Sequence, residues 1–202
     1  MKLFFSPSSP YVRKVSVTAH ETGQAIELIV APTTPTKRHP DVVANNPAGK
    51  IPTAILDDGS TLYDSRVITR WLDAQHSGPK MYPDGDAVWP VLRREAMADA
   101  MLDAALLIRY EIGPRPAELR WSGWIKAQED KIRSAFEQME REAGSFAGVN
   151  AGLIAIACAL GFIDFRFPDW GWRATCPTLA AWHAEFAKRP SMQATMPSDL
   201  AR

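Results

Sequence analysis

The pattern of apolar and polar positions changes near residue 80 of the 202-residue chain. Before that point, short apolar runs typical of strands alternate with apolar stripes at helical spacing. Beyond it the long segments carry apolar residues at helical spacing, and no strand pattern recurs. Turn-forming stretches, Ser77-Gly78-Pro79 and Pro83-Asp84-Gly85-Asp86, lie at the change. We therefore predict an α/β domain at 1–78, a linker at 79–85 and an all-helical domain at 86–202.

In the first half, a buried strand leads into a helix that begins at Pro10, because proline is favoured at the first helical position. Gly23 is placed to end this helix. A second strand follows, and a short helix between two strands favours a right-handed parallel crossover. Asp57-Asp58-Gly59-Ser60 then joins two apolar runs in a hairpin. The predicted strands are 2–6, 26–30, 54–56 and 61–63.

The second half is predicted to be a helical bundle. The segment 151–162 is apolar all round, so it should be the buried central helix, with Asn150 as its N-cap. It is too short to cross a membrane. Asp99 and Asp103 lie one turn apart on an earlier helix, and we assign them to a solvated face. The predicted helices are 88–110, 124–143, 151–162 and 179–188.

Composition removes several classes of function. The 23 basic residues balance the 23 acidic ones, so no excess of positive charge points to nucleic acid or a membrane surface. Cys158 and Cys176 are too few and too far apart for a disulfide scaffold or a CxxC redox pair. Four scattered histidines without partners at ligand spacing argue against zinc. The start of the chain runs straight into a strand rather than a signal peptide. We expect a cytoplasmic protein without a metal.

The segment 45–72 combines features that suit a short peptide ligand. Ile51 precedes Pro52 and is therefore pushed into extended backbone, whose N–H and C=O can pair with an extended ligand. A helix that begins at Ser65 offers free N–H groups and a positive dipole end to a carboxylate. Asp64 beside it can hold an ammonium group. The alternative is a turn, a hairpin and a capped helix without a ligand.

Ser9 lies where the first strand leads into the first helix. Its hydroxyl is in the positive field of the helix N-terminus and can donate a hydrogen bond to a bound thiolate or oxyanion. Such a bond lowers the pKa of a ligand thiol, as a helix start does for cysteine. Ser8 is the neighbouring candidate, and a plain N-cap is the alternative for Ser9. A hydrolase nucleophile is not indicated, because the chain has no G-x-S-x-G motif.

Four motifs together resemble the cytosolic glutathione S-transferase family. They are SSPYVRK, NPAGKIP, YDSRVI and the closing PTLAAWHAEFAKRPSM, and the likeness covers essentially the whole chain. It looks closest to the bacterial, serine-type, theta/omega-like branch. The resemblance implies a thioredoxin-like N-terminal domain that binds glutathione and an all-α C-terminal bundle. Serine at position 9, where a related branch has cysteine, argues against thiol–disulfide chemistry.

The resemblance also implies roles for individual residues. Ser9 matches the residue that activates the glutathione sulfur. Ile51, before the cis proline Pro52, matches the backbone contact to the cysteinyl part, and Asp64 with Ser65 matches the pair that holds the γ-glutamyl end. The glycyl carboxylate is assigned to Lys50 and to His39 or Lys37.

The second substrate is expected between the two halves, in a pocket assigned to Met101, Arg109 and Tyr110. Arg109 could meet an acidic substrate, although a surface salt bridge explains it equally well. The expected activity is conjugation of reduced glutathione, as co-substrate, to a small hydrophobic electrophile, a detoxification reaction performed by a homodimer. The alternatives are a non-catalytic glutathione-transferase-like binding protein and a glutathione-dependent isomerase or dehalogenase.

Overall fold

Four strands form one mixed sheet in the computed structural model, which describes residues 1–200. The spatial order is β2-β1-β3-β4. The first two strands are parallel, which confirms the predicted crossover, and the last two form the predicted antiparallel hairpin. β3 also pairs antiparallel with β1. The strands are β1 Lys2–Phe5, β2 Glu27–Val30, β3 Thr53–Ile55 and β4 Thr61–Leu62.

Three helices cover this sheet: α1 Pro10–Glu21, α2 Pro40–Asn45 and α3 Ser65–Ala74. α1 and α3 pack together with β1 in one core, which includes Leu3, Val15 and Ile68. A smaller cluster, around Phe4 and Val42, joins α2 to the sheet. The arrangement is the expected thioredoxin-like one, with helices on a mixed sheet.

The rest of the described chain is helical, as the second half of the pattern predicted. Its helices are α4 Val88–Ile112, α5 Ser122–Ala143, α6 Ala151–Arg166, α7 Pro177–Phe186 and α8 Pro190–Ala194. α6 is the buried central helix, and the Asn150 side chain caps it by accepting a hydrogen bond from Leu153 N at 3.0 Å. Within residues 1–200, no single helix is long and apolar enough to span a membrane, and α6 with the turns after it passes that test only as a pair bent by 101°.

α4 and α6 run side by side in the same direction. Their first turns touch so closely that a Cβ atom on Gly152 would lie 2.6 Å from the carbonyl oxygen of Val91. Glycine at this position therefore sets how close the two helices approach. The same geometry brings their last turns, with Arg109 and Arg166, to one end of the bundle.

The segment between α3 and α4 contains no regular strand or α-helix and is fixed to both halves. The Asp73 carboxylate accepts hydrogen bonds from Met81 N at 2.7 Å and Tyr82 N at 3.1 Å. Ala151 N in turn donates to the carbonyl of Met81 at 3.0 Å. The chain that connects the sheet to the bundle is thus held by specific hydrogen bonds at both sides.

Four charged side chains meet between the sheet half and the helical half. Lys14 Nζ of α1 lies 3.1 Å from Glu95 and 2.9 Å from both carboxylate oxygens of Asp99. Arg66 Nε of α3 lies 2.8 Å from Asp99, and Tyr82 donates its hydroxyl proton to Glu95 at 3.0 Å. Lys14, Glu95 and Asp99 are almost fully buried, and two cations balance two anions. We call Lys14, Arg66, Glu95 and Asp99 the buried charge cluster.

The buried charge cluster corrects one prediction. Asp99 was assigned to a solvated face, but it is only 2% exposed. The assignment was wrong because the partners of Asp99 come from α1 and α3, which are distant in sequence. Asp103 is exposed, yet its carboxylate accepts a hydrogen bond from the Tyr11 hydroxyl.

Candidate active site

The end of β1 and the start of β3 lie at the same edge of the sheet. The register pairs Phe4 with Thr53 in antiparallel fashion. The chain that leaves β1 towards Ser9 therefore passes the chain that enters β3 from Ile51. Sheet pairing thus brings the predicted thiol-activating residue and the predicted backbone contact to one edge.

The chain that leaves β4 reaches that edge too. Ala54 of β3 pairs with Leu62 of β4, again antiparallel. Two residues after Leu62, Asp64 stands opposite the start of β3, and α3 begins at Ser65. The start of α1, the segment before β3 and the start of α3 consequently surround one space.

Ser9 is the N-cap of α1. Its backbone is extended, with φ −83° and ψ 119°, and its Oγ accepts a hydrogen bond from Val12 N at 3.3 Å. Because the oxygen serves as acceptor for the helix, the hydroxyl proton is left to donate to a ligand. The Ser8 Oγ instead lies 3.2 Å from the Ser6 Oγ, within hydrogen-bonding distance. The two neighbouring serines therefore differ in what their hydroxyls can offer a ligand.

The Tyr11 hydroxyl and the Cys158 thiol are poorly suited to that role. Burial raises the pKa of Tyr11, and the Asp103 carboxylate, which accepts a hydrogen bond from the Tyr11 hydroxyl, raises it further. The Tyr11 hydroxyl is thus protonated and already occupied. Burial raises the pKa of the Cys158 thiol to about 11, so this thiol is neutral at physiological pH.

The main chain of Ile51 is open to a ligand. The peptide bond between Ile51 and Pro52 is cis, as expected. Among residues 1–200, neither the N–H nor the C=O of Ile51 has a hydrogen-bond partner. The preceding carbonyl, that of Lys50, is bound by Thr53 Oγ1 at 2.8 Å and Asn46 Nδ2 at 3.1 Å. An extended ligand can therefore pair with Ile51 alone.

The start of α3 brings the Asp64 carboxylate next to the N–H and hydroxyl of Ser65. Asp64 is the N-cap, and its exposed carboxylate accepts from Arg66 N at 2.9 Å. The Ser65 residue is 2% exposed, and no hydrogen bond to its N–H or hydroxyl is formed within the described chain. Arg66 ties this turn to Asp99 of α4. The buried charge cluster thereby supports the position of Asp64 and Ser65.

The basic residues assigned to the far carboxylate stand on two neighbouring loops. Lys37 and Lys50 are exposed, while His39 is half-buried. The His39 Nδ1 atom is buried and forms no hydrogen bond within residues 1–200.

Arg38, which the sequence analysis did not single out, holds these two loops together. Its Nη2 donates to the carbonyl of Pro47 at 2.6 Å. A Cβ atom on Gly49 would lie 2.5 Å from Arg38 Nε, and the φ of +65° at Gly49 favours glycine in this turn. Thr33 Oγ1 adds a bond to the carbonyl of Gly49 at 3.1 Å. The turn before Lys50 is therefore fixed relative to the basic loop.

The residues assigned to the second substrate do not share one pocket. Met101 is 1% exposed and borders an open pocket of about 290 Å³ between α4 and α5. Tyr110, more than two turns later, borders a different pocket of about 430 Å³ together with Trp121 and Trp124. Arg109 is exposed and lies beside Arg166 and Asp199. Only Arg109 and Tyr110 are neighbours at the end of α4.

Comparison with known proteins identifies the family of the chain. The model of the glutathione S-transferase N-terminal domain matches residues 3–80. An uncharacterized GST-like protein of Escherichia coli K12, YibF, is 32% identical, and the match covers 98% of each chain. The chain belongs to the glutathione S-transferase family. The family resemblance and the two-part fold predicted from the sequence are thereby confirmed.

Solved glutathione transferases show the same fold over nearly the full length. A family member from Pseudomonas fluorescens Pf-5 with bound glutathione is 46% identical, with a TM-score of 0.93 and 98% of each chain covered. A second structure from that organism, with bound S-(propanoic acid)-glutathione, is 45% identical, with a TM-score of 0.89 and coverage of 98% and 99%. Within residues 1–200, no three His, Cys, Asp or Glu side chains come together as a metal-binding group.

Proposed function

We propose that this protein is a glutathione transferase that activates the thiol of reduced glutathione for attack on a small hydrophobic electrophile. One observation carries the proposal. The Ser9 oxygen accepts the Val12 N–H at the start of α1, so its own proton remains available to a thiolate. The dipole of α1 favours negative charge at this point. Both effects lower the pKa of a bound thiol, and the thiolate is itself the nucleophile.

Glutathione would bind in an extended conformation across the edge of the sheet. The N–H and C=O of Ile51, before Pro52, pair with its cysteinyl part. Asp64 receives the ammonium and Ser65 the carboxylate of the γ-glutamyl end. Lys50, with His39 or Lys37, meets the glycyl carboxylate. The rate gain comes from the lowered thiol pKa and from holding both reactants together.

The ligands bound in two structures of one solved relative support this proposal. The Pseudomonas fluorescens protein holds glutathione in one structure and a glutathione thioether in the other, at 46% and 45% identity to this chain. The serine at position 9, rather than cysteine, is our reason to place the protein on the serine-type, theta/omega-like branch. We further propose that residues 1–78 bind glutathione, that 86–202 supply the second-substrate pocket, and that 79–85 link them. A cytoplasmic homodimer without a metal completes the proposal.

Calorimetry with reduced glutathione, combined with a thiolate absorbance titration, tests the assignment. We expect Ser65→Ala to weaken glutathione binding about tenfold or more, because it removes a hydrogen bond to a charged group. Ser9→Ala should keep binding but raise the pKa of the bound thiol by about one unit. Ser8→Ala is the matched control and should change neither quantity.

The same experiment separates the alternatives. If the wild-type protein does not bind glutathione, the catalytic assignment is wrong and the chain is a glutathione-transferase-like scaffold. If it binds glutathione but no electrophile is turned over, it is a binding protein. If Ser8→Ala rather than Ser9→Ala raises the thiol pKa, the activating residue is Ser8.

A further inference from the structure

The segment that follows α7 lies along α1. At the C-terminal end of α1, Arg189 donates two hydrogen bonds to the Glu21 carboxylate, from Nε at 2.8 Å and from Nη2 at 2.7 Å. The Ser191 hydroxyl donates to the same carboxylate. The Arg189 guanidinium, with the Ser191 hydroxyl, lowers the pKa of Glu21, so this carboxylate is ionised at physiological pH. We call residues 189–198 the C-terminal strap.

Arg13 attaches the middle of α1 to the C-terminal strap. Its Nη2 donates to the carbonyl of Met192 at 3.1 Å. The Arg13 residue is only 8% exposed, and a Cβ atom on Gly161 of α6 would lie 2.3 Å from its Nη1. Its Nε has no hydrogen-bond partner within residues 1–200. Among these residues the Met192 carbonyl is the one acceptor of the buried guanidinium, so displacement of the strap would leave a buried charge without a hydrogen bond.

The C-terminal strap ends at the turn that precedes α1. Ser198 N donates a hydrogen bond to the carbonyl of Pro7 at 3.3 Å, and Pro7 is two residues before Ser9. The contacts fall at positions 21, 13 and 7 on one side and at positions 189, 192 and 198 on the other. The strap therefore runs antiparallel to α1, from the C-terminal end of that helix to the turn before its start.

The strap fixes the central peptide group of the turn between β1 and α1. Ser9 N donates to the Ser6 carbonyl at 3.0 Å, which closes a β-turn. The peptide group between Pro7 and Ser8 is at the centre of this turn, and its orientation distinguishes one turn type from another. Its carbonyl accepts the Ser198 N–H and has no other hydrogen-bond partner within residues 1–200. A rotation of this peptide group would change the backbone that leads directly into Ser9.

We propose that the C-terminal strap positions Ser9 for activation of the glutathione thiol, with Ser198 as a positioning residue that acts through the Pro7 carbonyl. This inference rests on the proposed glutathione transferase function. A hydrogen bond weakens steeply as its angle departs from linearity, so a small rotation at Ser9 is enough to reduce its donation to a thiolate. The strap thereby holds the Ser9 hydroxyl in the direction that lowers the thiol pKa.

The strap should affect the ionisation of bound glutathione rather than its binding. The contacts proposed for the rest of the peptide, at Ile51, Asp64 and Ser65, belong to the segment before β3 and to the start of α3. Among residues 1–200, no hydrogen bond joins the strap to these residues. Loss of the Ser198 contact should therefore raise the pKa of the bound thiol while the affinity for protonated glutathione stays the same. A general loss of structure would weaken binding as well.

Ser198→Pro tests the inference, because proline lacks the backbone N–H that the Pro7 carbonyl accepts. Ser198 is exposed, so the melting temperature should change little. A thiolate absorbance titration should show the pKa of bound glutathione raised by about half a unit, or about threefold in the ionisation constant, roughly half the shift expected for Ser9→Ala. Calorimetry at a pH below the bound thiol pKa should give an unchanged dissociation constant. Ser198→Ala keeps the N–H and should match the wild-type protein in both measurements.

A double variant tests whether the effect passes through Ser9. If Ser198 acts by orienting Ser9, Ser198→Pro should add no further shift to the thiol pKa of Ser9→Ala. An additive shift in Ser9→Ala/Ser198→Pro, or an unchanged thiol pKa in Ser198→Pro, would overturn the inference. A Ser198→Pro protein with weaker glutathione binding and a lowered melting temperature would overturn it too, because the strap would then act on stability alone.

The same variants separate this inference from the proposed function. If the wild-type protein does not bind glutathione, or if Ser9→Ala leaves the pKa of the bound thiol unchanged, the proposed function itself has failed. If the wild-type protein and Ser9→Ala behave as proposed and only Ser198→Pro has no effect, the assignment of the strap alone is wrong.

Discussion

Replacement of Lys14 by methionine should destabilise the protein strongly. Methionine can occupy the buried space of the lysine side chain, but it leaves Glu95 and Asp99 without the ammonium group that lies 2.9–3.1 Å from them. Arg66 remains near Asp99, but its side chain is 49% exposed and reaches only one of the two acids. Removal of one partner from a buried ion pair costs about 3–5 kcal/mol. For a chain of this length we expect a melting temperature lower by roughly 6–20 °C.

The chain offers a matched control for this substitution. Lys126 lies 2.9 Å from Asp130, the same distance as Lys14 from Asp99. The side chains of Lys126 and Asp130 are both exposed on α5. Lys126→Met should therefore cost less than about 1 kcal/mol. Thermal melting followed by circular dichroism compares the two variants directly. If Lys14→Met costs no more than Lys126→Met, the argument from burial is refuted.

A double variant tests whether an uncompensated charge is the cause. In Lys14→Met/Glu95→Gln, the acid without an arginine partner is neutral, and the amide oxygen can still accept the Tyr82 proton. This variant should be more stable than Lys14→Met alone, although it carries one more substitution. A double variant that is less stable would mean that lost packing, rather than charge, causes the effect.

Two further predictions concern stability. Gly152→Ala should lower the free energy of unfolding, measured in urea, by about 1–3 kcal/mol, because the new Cβ would lie 2.6 Å from the Val91 carbonyl oxygen. Gly144→Ala is the control: its Cβ would meet nothing within 4 Å, so the change should be neutral or slightly stabilising. Burial lowers the pKa of His183 from 6.5 to about 4, so the unfolded chain binds a proton that the folded one does not. Stability should fall by about 2 kcal/mol between about pH 7 and about pH 5, and His183→Gln should flatten this slope.

A specific result would contradict each of the predictions for Gly152 and His183. Equal unfolding midpoints for Gly152→Ala and Gly144→Ala would mean that α4 and α6 separate without cost. A wild-type pH dependence no steeper than that of His183→Gln would mean that the buried imidazole does not contribute to it.

Local signals in the sequence predicted most of the fold. Proline at the start of α1, Asn150 before α6 and glycine after α1 mark helix ends through their own backbone and side-chain chemistry. The structure follows them, with Gly23 at φ +69°. The predicted end of α6 lies before the observed one, because residues outside the helix hold its last turn. The Asp164 carboxylate accepts a hydrogen bond from Trp172, and Arg166 forms a salt bridge with Asp199.

Contacts between residues that are distant in sequence could not be predicted from the periodicity of apolar positions. Lys14 looks like a surface residue from its type, but α1 is covered by the sheet on one side and the bundle on the other, so Lys14 is buried. Glu95 and Asp99 lie one turn apart on α4 among the apolar residues that the pattern assigns to its buried face, which was a signal for a buried cation. Arg38 was missed for a similar reason, since its role depends on the turn at Gly49.

The buried charge cluster also limits where recombination with a related gene can occur without loss of stability. Its two cations, Lys14 and Arg66, precede residue 80, and its two anions, Glu95 and Asp99, follow it. Recombination between diverged genes at that junction would separate them, and a chimera that acquired a neutral residue at either acidic position would carry a buried, unpaired cation. An exchange in the loop after α4 keeps all four charges on one fragment. Shuffled variants of this protein should therefore survive more often when the crossover follows Ile112 than when it lies at 79–85.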